Sequence, residues 1–242
     1  MSQELPAKRT QLAPQDMFDV MALVWPAVLQ EPSWKPSLLV LLAQWSLETG
    51  NGKSMWCYNV GNVKAKPGGA FDYCYFPAGE ILKTAYAEAQ AAAHPDTVKI
   101  KSRFKNGTCE VIFYPKHPAC CFRAFHTVEE GVMDYLGLMR RRFAKAWPYV
   151  ISANPTGFCH ALKLQDYYTA DEAQYTRSVL GIFDRFLNTI VDLEVPTATE
   201  APSLSEFPVS PVVGVADDDG SPVVSPYSLE MARLASPLES SG

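Results

Sequence analysis

The sequence predicts an α+β fold, mostly helical, with a small β-hairpin lobe set into its middle. Three observations carry that reading. Apolar residues recur at helical spacing in several segments, as at Leu38, Leu41, Leu42 and Trp45. One stretch alternates on both sides of an Asn-Gly pair, Asn106-Gly107, a strong hairpin signal. After Val195 the composition changes abruptly: seven Pro and nine Ser fall among 47 residues, a makeup that opposes a packed core.

Charge follows the same division. The 242 residues carry a net charge of −5. Residues 196–242 hold seven acids and a single base, Arg233, for a local −6, which leaves the preceding body at +1. A neutral body without a basic run argues against non-specific nucleic-acid binding, which needs clustered phosphate-neutralising charge. No apolar run approaches the roughly 20 residues that span a bilayer. The start, MSQELPAKRTQLAPQD, lacks the apolar core of a secretory signal. The expected organisation is a flexible N-terminus over 1–14 and one folded domain over 15–194, with its β-lobe at about 66–121. A disordered, acidic Pro/Ser-rich tail is expected over 195–242.

Along the chain, a first helix is expected over about 15–30, with Asp16 in its first turn and Pro26 positioned to kink or shorten it. A second runs from Pro36, at the permitted first-turn position, to about Glu48, and Gly50 and Gly52 stop it. Residues 57–78 read as loop with short extended pieces. The Ala-rich run from Glu80 to Ala93 reads as a short helix. A hairpin follows, 97–104 and 108–114 about Asn106-Gly107. Thr127 and Glu130 form a capping box for a helix reaching about Phe143. Shorter helical pieces are expected around 144–151 and 155–165, and a last helix from about Glu172 to Ile190 with Tyr175, Val179, Ile182, Phe183, Phe186 and Ile190 inward.

Glu48 is the most informative residue for chemistry. It lies seven after Leu41 and three after Trp45, so it shares the apolar stripe of its helix. It also sits in the last turn, where the helix dipole disfavours a negative charge. Desolvation acts in the same direction. A carboxylic acid kept protonated is what general-acid catalysis requires. The bland reading is a Glu at a helix end that points into solvent.

The residues after Glu48 add to this. Ala43-Gln44-Trp45-Ser46-Leu47-Glu48-Thr49-Gly50-Asn51-Gly52 resembles the motif around the catalytic acid of glucosaminidase-type peptidoglycan hydrolases, glycoside hydrolase family 73, which includes flagellar muralytic domains. Asn59-Val60-Gly61-Asn62-Val63-Lys64-Ala65 occupies the place of that family's Asn-Leu-Phe-Gly-Ile-Lys-Ala loop, with Gly61 and Asn62 replacing Phe-Gly. Phe122-Arg123-Ala124-Phe125 is similar to its Phe-Arg-x-Tyr segment, and Tyr167-Tyr168-Thr169-Ala170-Asp171 with Tyr175 to its Gly-Tyr-Ala-Thr-Asp signature. The resemblance covers about residues 15–190 and is poor over 66–121. It implies a lysozyme-like fold with Glu48 as general acid and Tyr167 positioning water or stabilising developing positive charge, Tyr168 being the alternative one residue on. It also implies Asn59, Lys64, Trp56 and Tyr58 along a sugar groove, although Trp56 and Tyr58 read equally as core. Many members of the family carry a second carboxylate on the hairpin; here Arg103 stands at that place. Asp72, Asp96 and Glu110 are the alternatives, and the second acid stays unassigned.

His117, Cys120, Cys121 and His126 bring zinc to mind, but adjacent cysteines are not a paired-ligand spacing. Structural thiols, or disulfides formed after export, are expected instead. The Asp217-Asp218-Asp219-Gly220 run lacks the alternating ligands of a calcium loop. The reaction that the resemblance implies needs neither metal nor organic cofactor. The resemblance implies hydrolysis of β-1,4 bonds in peptidoglycan glycan strands, β-N-acetylglucosaminidase in type. The alternatives are a lytic transglycosylase or muramidase on the same fold, or a non-catalytic glycan-binding or assembly module. With no signal, delivery to the wall is expected through an export machine, a phage particle or a secretion system, which leaves room for an immunity protein as partner.

Overall fold

The structure, a computed structural model, describes residues 2–29, 34–168 and 170–192. The tail expected over 195–242, with its Asp217–Gly220 run, lies outside the described residues. Helix and strand are mixed as α+β. The helices are α1 (Pro14–Leu29), α2 (Lys35–Thr49), α3 (Thr84–Ala93), α4 (Val128–Arg141), α5 (Trp147–Ile151), α6 (Pro155–Lys163) and α7 (Glu172–Thr189). The strands are β1 (Tyr73–Tyr75), β2 (Ala78–Lys83), β3 (Val98–Arg103), β4 (Thr108–Phe113) and β5 (Cys121–Arg123). No helix among the described residues is long and apolar enough to cross a membrane.

Helix α2 is the centre of the molecule. The apolar stripe read from its sequence is only part of its buried surface: Leu39, Val40 and Ala43 are as inaccessible as Leu38 and Trp45. A helix apolar on all sides must be enclosed, and α1, α5 and α7 pack around this one. It ends where expected. Gly50 takes the left-handed conformation at φ 59° and donates its amide to Ser46 O, a geometry that glycine adopts without a Cβ penalty.

Helix α4 carries the predicted capping box, with both reciprocal bonds between Thr127 and Glu130 in place. Pro26 does not end α1, which continues to Leu29. The predicted hairpin is β3–β4, turned at Gly107 (φ 79°), with Asn106 Oδ1 accepting from the Thr108 amide and hydroxyl. The run from Glu80 to Ala93 is helical only from Thr84. Its first part is strand β2, which pairs antiparallel with β4 to give the sheet order β2-β4-β3. Ile81 and Leu82 find backbone partners at Glu110 and Cys109, and that pairing outweighs local helical preference.

The N-terminus is the second departure. Expected to be flexible, it lies extended across the loop region and pairs with it. Leu5 N donates to Tyr73 O (2.7 Å), Tyr73 N to Gln3 O (2.9 Å), Cys57 N to Lys8 O (2.8 Å) and Thr10 N to Met55 O (3.0 Å). A polar composition gave no sign of this, because the attachment runs through backbone groups that any sequence offers.

Candidate functional site

Glu48 points from the last turn of α2 into a buried cage of tyrosines and retains 6% of its surface. Tyr175, from α7, donates its hydroxyl to Glu48 Oε1 at 2.9 Å. Gln44, one turn earlier on α2, directs Nε2 at the same oxygen from 3.5 Å and at the Tyr167 hydroxyl from 2.6 Å. Tyr135, from α4, donates to Gln44 Oε1 and so fixes which way the amide faces. Side chains from α4, α7 and the turn at Tyr167 thus join Gln44 and Glu48 of α2 in one hydrogen-bonded network.

The site is low in dielectric and rich in neutral donors. Burial first, and the Glu48 charge second, hold the Tyr135, Tyr167 and Tyr175 hydroxyls well above the ordinary phenol range. They keep their protons and can only donate or accept as hydroxyls. Tyr168 stands behind the cage. Its ring stacks on Tyr175 with centroids 3.8 Å apart, and its hydroxyl donates to Cys159 O. Tyr167 packs edge-on against Phe143. Of the two neighbouring tyrosines, Tyr167 joins the Glu48 network and Tyr168 supports it.

The loop that follows Glu48 is pressed against the N-terminal segment. Gly52, at φ 81°, lies so close that a Cβ there would sit 2.0 Å from Leu12 O. An open hollow of about 410 Å³ lies against this junction, lined by Gln11, Pro14, Asn51 and Lys53 among others.

The remaining expected groove residues perform structural tasks. Asn59 is buried and spends its side chain bracing its own loop: Nδ2 donates to Val63 O and Arg123 O, and Oδ1 accepts from Val63 N. Trp56 stacks on Phe76 and lies under the Arg9 guanidinium. Tyr58 takes φ 51° and packs partly against the main core. Lys64 is buried, donates to Ala119 O, and lies 3.8 Å from the Phe122 ring centre. The contacts named here seat these four residues in their loop, in the main core and against the β-lobe.

Burial pulls the Lys64 ammonium down to about 8 from the 10.5 of a free lysine, against the opposing pull of Glu80. The unfolded chain thus holds this proton to higher pH than the folded one, and stability must rise with pH from about 8 towards 10.5. Relative to Lys64→Met, the native chain is expected to gain roughly 3 kcal/mol across that window. Denaturant titrations of both proteins at several pH values would show it, and a constant difference between them would refute it.

Two of the alternative acids are engaged elsewhere. Asp72 accepts from the Gln3 amide at 2.7 Å and faces His126. Asp96 is exposed in the turn before β3. Glu110, buried on β4, pairs with Lys101 at 2.8 Å. Arg103 pairs with Glu88 on α3. One carboxylate had no sequence signal: Asp134 on α4, nearly enclosed and paired with Arg123 at 2.6 Å, ties β5 to α4. Among the described residues no group of three or more His, Cys, Asp or Glu could hold a metal ion.

Sequence reasoning singled out Glu48 and Tyr167 but gave Tyr175, Gln44 and Tyr135 no role at the site. Gln44 lay in the quoted motif one helical turn before Glu48, a spacing that puts the two on one face and could have flagged it. No protein-family model, curated protein or solved structure matches the chain.

Proposed function

We propose that the chain is a glycoside hydrolase with a lysozyme-like architecture, cutting β-1,4 bonds of peptidoglycan glycan strands with Glu48 as general acid. The observation that carries this reading is the Tyr175–Glu48–Gln44 constellation: a buried carboxyl at a helix end, with both donors on the same oxygen. In this reading Glu48 passes its proton to the leaving glycosidic oxygen. Tyr167, linked through Gln44, supports the developing positive charge from the side of the cage. The wall would be reached through a phage, virion or secretion route.

The commitment of Arg103 to Glu88, and of Glu110 to Lys101, favours a second reading, in which one carboxyl suffices and the enzyme is a lytic transglycosylase. Products separate the two. Hydrolysis of glucosaminidase type leaves reducing N-acetylglucosamine ends, while transglycosylation leaves anhydro-muramyl ends. Digestion of purified peptidoglycan followed by mass spectrometry of the fragment ends decides between them, and no release at all would sink the enzyme reading.

Tyr175→Phe removes one donor from Glu48 while keeping the ring that stacks on Tyr168. The rate of fragment release is expected to fall about tenfold, near 1.4 kcal/mol of lost stabilisation, with substrate affinity unchanged. Release at the native rate would mean that Tyr175 only packs.

A further inference from the structure

We propose that Cys57 and Cys74 are the two halves of a disulfide that forms when the chain meets an oxidising thiol–disulfide environment. The inference is independent of the glycosidase reading. All six cysteines are free thiols in the structure and all are buried, but their surroundings differ. Cys159 belongs to the main helical core, and Cys109 and Cys120 to the core of the β-lobe. Cys57 and Cys74 share a small separate cluster with Phe76, Phe122 and Ala124, and each thiol is the largest influence on the acidity of the other.

Register singles out the pair further. Cys74 on β1 stands opposite Phe122 on β5, and Cys121, the next residue along β5, stands opposite Tyr75. Successive residues of a strand face opposite ways, so Cys121 points away from the side on which Cys74 meets Phe122. Cys57 is held from both directions, its amide donating to Lys8 O and its carbonyl accepting from Phe125 N. Both backbones are thus hydrogen-bonded in place beside the shared cluster.

The chemistry is asymmetric within the pair. The neighbouring Cys74 thiol pulls the Cys57 thiol down to about 6 against its burial, with help from the Lys8 amide and charge, while Cys74 is pushed up. Lys8 N donates to Cys57 Sγ at 3.3 Å. Cys57 is accordingly the attacking thiolate and Cys74 the resolving thiol. With oxidised glutathione as the oxidant, the Cys57 thiolate attacks one glutathione sulfur, and the first glutathione leaves as a thiolate. Cys74 then attacks the Cys57 sulfur of the mixed disulfide and expels the second. Two protein thiols are oxidised, one glutathione disulfide is reduced to two thiols, and the protons of Cys57 and Cys74 end on glutathione.

The bond would fasten together the two places on which the N-terminal segment is seated. Lys8 bonds the Cys57 amide, and Gln3 and Leu5 bond Tyr73, the neighbour of Cys74. A chain made with thiols would thus acquire a lock only after leaving a reducing compartment.

The test equilibrates the folded full-length chain in glutathione redox buffers until the thiol count is constant, then maps peptides without reduction. A Cys57–Cys74 cross-linked peptide, two of the six thiols lost, and a thermal midpoint raised by about 5 °C or more are expected. In Cys74→Ala, Cys57 should instead trap a single glutathione. Six thiols persisting under the most oxidising buffer, or a bridge joining a different pair such as Cys74 with Cys121, would overturn the proposal.

Discussion

Glu48→Gln is expected to fold as the native chain does and to release glycan fragments at a rate lower by about three orders of magnitude, within the span that general acids contribute. The substitution keeps the shape and length of the side chain. The Tyr175 hydroxyl and the Gln44 amide, which both donate to Oε1, can meet the amide carbonyl in its place. What disappears is the transferable proton. Thermal unfolding and product release must therefore separate: the first nearly unchanged, the second abolished within assay limits. Equal release by variant and native chain would remove Glu48 from the mechanism. A simultaneous collapse of stability would instead assign it to the architecture of the cage.

Gly131→Ala is expected to lower stability markedly. Gly131 lies in the first turns of α4, and a Cβ there would stand 1.9 Å from Tyr58 O and 3.3 Å from Val60 Cγ2. The obstacle is backbone, in a loop where Cys57 and Tyr58 already occupy positive φ, so relief by a side-chain rotation is closed. Overpacking of this kind costs on the order of 3 kcal/mol, partly offset by the better helix propensity of alanine. The unfolding midpoint should drop by roughly 5–10 °C. Gly181→Ala on α7 is the internal comparison. Nothing lies within 4 Å of its added methyl, and the midpoint there should hold or rise. A similar loss at both positions would show that the helix–loop contact at Gly131 is not the cause.

The elements whose signals are local were legible in the sequence. The Thr127–Glu130 capping box, the Asn106-Gly107 turn and the Gly50 stop each depend on a few neighbouring residues, and each is present. Periodicity reported one face of α2 but not its enclosure, because a stripe at positions 38, 41, 42 and 45 says nothing of what packs behind Leu39 and Val40. The strand at Ala78–Lys83 was hidden for a related reason: its partner, β4, lies beyond the intervening helix, and pairing energy is invisible to local preference. The site itself divides the same way. Glu48 was legible from its position on the helix, whereas the hydroxyl bound to it comes from 127 residues away, and the Tyr135 contact with Gln44 spans 91. Asn59 and Lys64 stood out as motif residues, yet a residue that braces a loop and one that grips a sugar have the same letter.

The docked N-terminal segment changes how this molecule should come apart. Chain ends ordinarily fray first and exchange their amide hydrogens with solvent almost freely. Here the amides of Cys57 and Tyr73, well inside the sequence, owe their protection to carbonyls at Lys8 and Gln3, and the Thr10 amide owes its own to Met55. Residues 3–10 and the loop beyond Glu48 are thereby expected to open as one cooperative unit, and hydrogen exchange should show their bonded amides protected like those of an interior strand.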